Sequence, residues 1–216
     1  MLWEPIVTFI FIAICLAIFF IRFEKLSSYC KPIGVVVICH FIFYSFTAYY
    51  MFGLDRSNNM VFFHVLRPLQ YSLICLFLNE VIQNKVVKKV ILISVPFYIM
   101  SSLLLSFKIQ GIKEYNSYAI ILYNTLLSLW ILLFLKDLYT NNKIKNLLAY
   151  GAFWISIGLL FYCVGTTFSE GLMNYLVKFH RKYALSFYYI GTILSLFLYG
   201  SVIIAFLVDK TENKNS

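Results

Sequence analysis

The chain has 216 residues, of which 62% are hydrophobic, 19% aromatic and only 12% charged, with a formal net charge of +9. A water-soluble domain has an apolar share nearer one half and a charged share nearer a quarter, so this composition excludes an ordinary soluble protein. The basic excess fits cytoplasmic loops facing anionic lipid headgroups, and no nucleic-acid partner is expected.

A membrane helix needs roughly 20 apolar residues, and windows of about that length recur along the chain at 5–21, 33–52, 60–82, 90–107, 118–135, 147–168 and 184–208. They are too long and too uniformly apolar for alternating barrel strands, and an unpaired backbone is not tolerated in lipid, so they predict helices. The expectation is an all-α, polytopic transmembrane bundle of about seven helices. It forms one domain over 1–208, followed by a short cytoplasmic tail at 209–216.

The first window has only Glu4 before it and Arg22, Glu24 and Lys25 after it. A secretory signal wants a basic lead and small residues at a cleavage site, so this window is expected to stay as the first span. Orientation follows from the basic residues. With the N-terminus outside, eleven Lys and Arg fall on the cytoplasmic side and six outside, with Arg67 left inside the third span. That predicts N-out and C-in in a cell (inner) membrane. The stretch 169–183 is the least defined boundary, where Leu172, Met173, Tyr175 and Leu176 suit a short interfacial turn capped by Lys178–Lys182.

Cys15, Cys39, Cys75 and Cys163 fall in apolar runs and Cys30 at a helix edge, with no metal or disulfide spacing. No metal or cofactor is expected.

An ionisable group inside a span costs about 3 kcal/mol at mid-membrane on insertion scales, so each one is a site hypothesis. His64, Arg67 and Tyr71 recur at one-turn spacing on the third span, with Gln70 beside them, and His40 and Tyr44 form a second stripe on the second span. With Asn124 in the fifth span, these are the candidate ligand-binding residues. Arg67 carries a permanent charge and a fork suited to carboxylate or phosphate. No Asp or Glu is expected at its depth in another span, which leaves Asp55, carbonyls freed around Pro68 or an anionic ligand as its counter-charge. Snorkelling or helix tying is the structural alternative.

Gly151, Gly158 and Gly165 recur every seven residues in the sixth span and predict a helix-packing seam. The seventh span holds no lysine for a retinal Schiff base, and no catalytic motif of the hydrolase, metalloprotease or phosphate-loop type occurs. The expectation is that the protein is not an enzyme.

The segments Leu66-Arg67-Pro68-Leu69-Gln70-Tyr71-Ser72 and Phe153 to Tyr162 resemble stretches of uncharacterised bacterial seven-helix proteins often encoded beside membrane sensor histidine kinases. The resemblance implies an accessory signalling role with such a kinase as partner. The topology also resembles that of small seven-helix sugar transporters, but Leu69 separates Pro68 from Gln70 and the second half offers no matching motif.

The leading expectation is a receptor-like or accessory signalling subunit that reads a ligand near His64, Arg67 and Tyr71. Its tail is too short for an output domain, so it acts through a partner. A solute transporter or channel is the alternative, and a structural or lipid-organising protein is a further one.

Overall fold

The computed structural model describes residues 3–50, 60–141 and 146–209. Among them the chain is mostly helical, with short turns between the helices and without strands. The helices are α1 (Trp3–Arg22), α2 (Cys30–Ala48), α3 (Met60–Val81), α4 (Lys85–Leu104), α5 (Ser117–Asn141), α6 (Gly151–Gly171), α7 (Met173–Phe179) and α8 (Arg181–Val208). Seven of them are long and apolar enough to cross a membrane, and α7 is the short one. The chain is thus an all-α, seven-span membrane helix bundle.

Several limits follow from local chemistry. The Asn84 side chain caps α4 by accepting from the backbone N–H groups of Val86 and Val87 at 2.9 and 3.2 Å. At its far end α4 widens into a π-helical turn over Leu105–Gln110. Gly111, at φ 82°, then turns the chain out of the helix in a conformation that side-chain-bearing residues rarely adopt. These signals set α4 longer than the expected window, and the same holds for α5, which runs on to Asn141.

The boundary at 169–183 differs from the expected one in an important way. The sixth helix does not stop at 168 but continues to Gly171, which carries Ser169 and Glu170 into the bundle. The Met173–Phe179 helix follows with Leu176 buried and Tyr175, Lys178 and Phe179 exposed.

The most extensive helix pair is α6 with α8, followed by α5 with α6. Its closeness comes from the three glycines. A Cβ at Gly158 would lie 2.7 Å from the Ser201 Cβ, one at Gly165 2.5 Å from a Leu194 methyl, and one at Gly151 3.1 Å from the Ala205 carbonyl oxygen. Removing the side chain on one helix lets the backbones approach, which adds dispersion contacts where lipid gives no hydrophobic drive. Around this seam the buried core gathers Ile12, Phe19, Phe77, Leu78, Phe134, Ile155 and Phe206.

The outward faces are equally apolar. Ile93, Phe97, Met100 and Phe107 on α4 and its extension are exposed, as are Ile6, Ile10, Phe20 and Ile21 on α1. Surface of this kind calls for a lipid solvent rather than water.

At the C-terminal end of the bundle the turns are tied together. The buried Asp209 carboxylate, 2% exposed, accepts from the Ser27 backbone N–H at 2.8 Å, the Ser27 hydroxyl at 3.3 Å and the Tyr29 hydroxyl. Arg22 donates to the Asp209 carbonyl at 2.9 Å and to that of Leu207. Burial, reinforced by Asp209, pushes the Tyr29 phenol well above its ordinary range. Asp209 therefore locks the first helical hairpin to the last helix. Ser28 donates to Glu80 at 2.7 Å, and Asp137 accepts from the Gln83 backbone N–H at 2.9 Å, closing the same end.

Candidate functional site

Arg67 stands on α3 two turns in from Met60, and Pro68 follows it within the helix. Proline lacks the N–H that would reach the His64 carbonyl, and the Ser72 hydroxyl back-bonds to the Pro68 carbonyl at 2.8 Å. The α3 face that results is unusually polar for a membrane span. His64, Arg67, Gln70 and Tyr71 are all buried.

The counter-charge of Arg67 is Glu170. Its guanidinium Nη2 donates to the Glu170 Oε2 at 2.8 Å, and both side chains are largely removed from solvent. This corrects the expectation that no acid lies at the depth of Arg67, and the candidate Asp55 lies outside the described residues. The other Glu170 oxygen accepts from the Tyr162 hydroxyl at 3.2 Å, and its backbone carbonyl accepts from the Ser117 hydroxyl at 3.2 Å. Desolvation and the Glu170 charge together push the Tyr115 phenol, in the loop before α5, well above its ordinary range. The guanidinium also lies over the Tyr123 ring, 5.6 Å from its centroid. A buried ion pair survives only with such additional partners, because desolving two charges costs several kcal/mol each.

Beside this pair lies a cavity of about 60 Å³. Its polar wall is formed by His40, Tyr44, Arg67, Gln70, Tyr123, Tyr162, Ser195 and Tyr199. Five helices contribute, α2, α3, α5, α6 and α8, so the site exists only in the assembled bundle. His40 is held from two sides. Its Nε2 meets the Gln70 side-chain amide, and its Nδ1 is 2.9 Å from the Tyr199 hydroxyl. Tyr44 and Tyr199 meet its ring edge to face at 6.4 and 5.9 Å between centroids. Val36, Phe63, Leu66, Ile74, Leu159 and Leu198 form the apolar remainder of the wall.

The structure divides the residues singled out from sequence into two groups. His40, Tyr44, Arg67 and Gln70 share the cavity. His64, Tyr71 and Asn124 do not line it. His64 Nδ1 is 2.7 Å from the Ser106 hydroxyl and its Nε2 3.2 Å from the Glu114 carbonyl oxygen, at the N-terminal end of the bundle. Tyr71 is paired with the Ser94 hydroxyl at 2.7 Å and accepts from the Trp130 indole at 3.1 Å, inside the α3, α4 and α5 core. Asn124 donates to the Thr166 hydroxyl at 3.2 Å and ties α5 to α6. The one-turn spacing put His64, Arg67 and Tyr71 on one face, but different neighbours cover that face at different heights.

Glu170, Tyr123, Tyr162 and Tyr199 belong to the site and were not singled out. Tyr162, Thr166 and Glu170 recur at four-residue spacing, which places them on one stripe of α6. That stripe was the available signal. It is hidden when the span is ended at 168.

The arrangement offers hydrogen-bonding groups and one neutralised cation. Among the described residues, no group of three or more His, Cys, Asp or Glu side chains is placed to hold a metal ion. Comparison with protein-family models, curated proteins and solved structures finds no match to the chain, and the chemistry of the site is read from its own residues.

Proposed function

We propose that the protein is a non-enzymatic sensing subunit of the cell (inner) membrane, which binds a small ligand in the His40, Arg67 and Tyr199 cavity and signals through a membrane partner. The observation that carries this reading is a polar cavity assembled from five helices, with the buried Arg67–Glu170 ion pair at its wall. Binding at a place where five helices meet can bias their packing, which is what a sensor requires.

Transport is the competing reading, and it needs polar groups continuing past the cavity on both sides. One turn beyond Gln70 the cavity wall is Ile74, and beyond that Cys75, Phe77, Leu78 and Phe206 are buried in the apolar core. The lining therefore favours binding without passage. The partner is assigned to the C-terminal end of the bundle, taken as cytoplasmic, where Lys85, Lys89 and Lys136 are exposed. A sensor histidine kinase is the kind of partner the resemblance of the α3 and α6 segments suggests.

Gentle affinity purification from native membranes, with mass spectrometry of co-purifying proteins, tests the reading. A membrane signalling protein in stoichiometric amount is the expected result. Recovery of the protein alone, combined with solute flux in proteoliposomes, would overturn it in favour of transport.

A further inference from the structure

The charge state of the cavity selects the chemical class of its ligand. Arg67 is the single side chain of fixed charge among the residues that line it. Its charge is cancelled from behind by Glu170 at 2.8 Å, and Glu170 is itself held by Tyr162. The rest of the polar wall consists of His40, Gln70, Ser195 and four tyrosines, which donate and accept hydrogen bonds without fixed charge. The Arg67 Nε–H, however, is buried and has no partner among the described residues. That N–H is closed off from a water-sized probe, so recognition in the cavity falls to the neutral donors and acceptors of its wall and to the part of the guanidinium that lines it.

We infer that the cavity takes a compact, neutral, carbonyl- or hydroxyl-bearing solute, of the class of small amides, ureas and polyols, with its acceptor oxygen on Arg67. This rests on the reading of the cavity as a ligand site. An anion would bring net negative charge to a site whose cation Glu170 already neutralises, and leave it uncompensated in a low-dielectric interior. A cation would be repelled by Arg67 without reaching Glu170, whose oxygens are occupied by Arg67 and Tyr162. A purely apolar molecule would meet a wall rich in hydrogen-bonding groups and offer them no partner. Size limits the solute as well. One water needs about 15 Å³ of such space, so the cavity holds about four waters or a solute of similar heavy-atom count.

Acetamide and acetate are nearly isosteric and differ in charge, so they separate the classes. Saturation-transfer NMR on the full chain in nanodiscs, with each probe titrated separately, is the measurement. The expected result is acetamide binding at least tenfold tighter than acetate, lost in Ser195→Phe, which fills the cavity. Glu170→Gln uncovers the Arg67 charge and is expected to shift the preference toward acetate by at least tenfold. Acetate binding as tightly as acetamide to the unaltered protein would overturn the neutral-solute class and leave the ligand cavity standing. Binding of neither probe, or a signal that survives Ser195→Phe, would overturn both. If Glu170→Gln does not fold, the isostere pair on the unaltered protein still decides. A folded Glu170→Gln with unchanged preference would overturn the charge argument.

Discussion

Arg67 and Glu170 lie 103 positions apart in the chain and meet at 2.8 Å inside the bundle. The contact joins α3 to the last turn of α6 and fixes the guanidinium at the cavity wall. It makes the pair at once a structural tie and the element that sets the polarity of the site.

Removing one partner strands the other as an unpaired buried charge. Arg67→Met and Glu170→Leu are each expected to destabilise the protein by about 3–5 kcal/mol. The apolar double variant Arg67→Met with Glu170→Leu is expected to be more stable than either single variant. Unfolding midpoints in detergent, arranged as a double-mutant cycle, check this. Additive losses would show that the two charges do not depend on each other.

The glycine seam makes a graded prediction. Gly158→Ala forces its methyl into the Ser201 Cβ at 2.7 Å and is expected to lower the melting temperature more than Gly165→Ala, which meets the mobile end of Leu194. Gly191 on α8 has open space around its missing side chain. Gly191→Ala is therefore expected to be neutral or to stabilise by about 0.5–1 kcal/mol through the entropy of the unfolded chain. Thermal melts of the three variants supply the ranking.

Much of the bundle was legible in the sequence because a bilayer imposes length and apolarity on every span. The glycine period was legible for the same reason, since only a close helix approach repays three absent side chains on one stripe. The cavity was legible in part. His40, Tyr44, Arg67 and Gln70 are costly polar groups in apolar runs, so they announce themselves. Glu170 did not, because it sits at a helix end where hydropathy falls and a charge looks like a loop residue. Tyr123, Tyr162 and Tyr199 were hidden in a chain with 17 tyrosines, where interfacial belts are the ordinary explanation. Asp209 was hidden at the last turn of α8, where the clasp depends on Ser27 and Tyr29 being brought back from the far end of the sequence.

The Asp209 clasp protects a thiol. Cys30 is fully buried behind it, next to Tyr29. Asp209→Ala is expected to open the C-terminal end of the bundle and raise the rate of maleimide labelling at Cys30 at least tenfold, measured in a Cys39→Ser background because Cys39 is the partly exposed cysteine. Unchanged labelling would show that packing alone closes this end.

The proposed orientation has a direct check in intact cells. Single cysteines placed at Lys178 and Lys182 are expected to react with an impermeant thiol reagent from outside. Cysteines at Lys85 and Lys89 are expected to react only after the membrane is opened. The reverse pattern would invert the bundle and move the partner surface to the other side.

The central claim is that the cavity beside Arg67 is a ligand site. Small-molecule mass spectrometry of the protein purified from native membranes, run in parallel with Ser195→Phe, tests it most directly. The account predicts one compact neutral solute released by the unaltered protein and absent from the cavity-filled variant. Identical small-molecule profiles from the two proteins would contradict it.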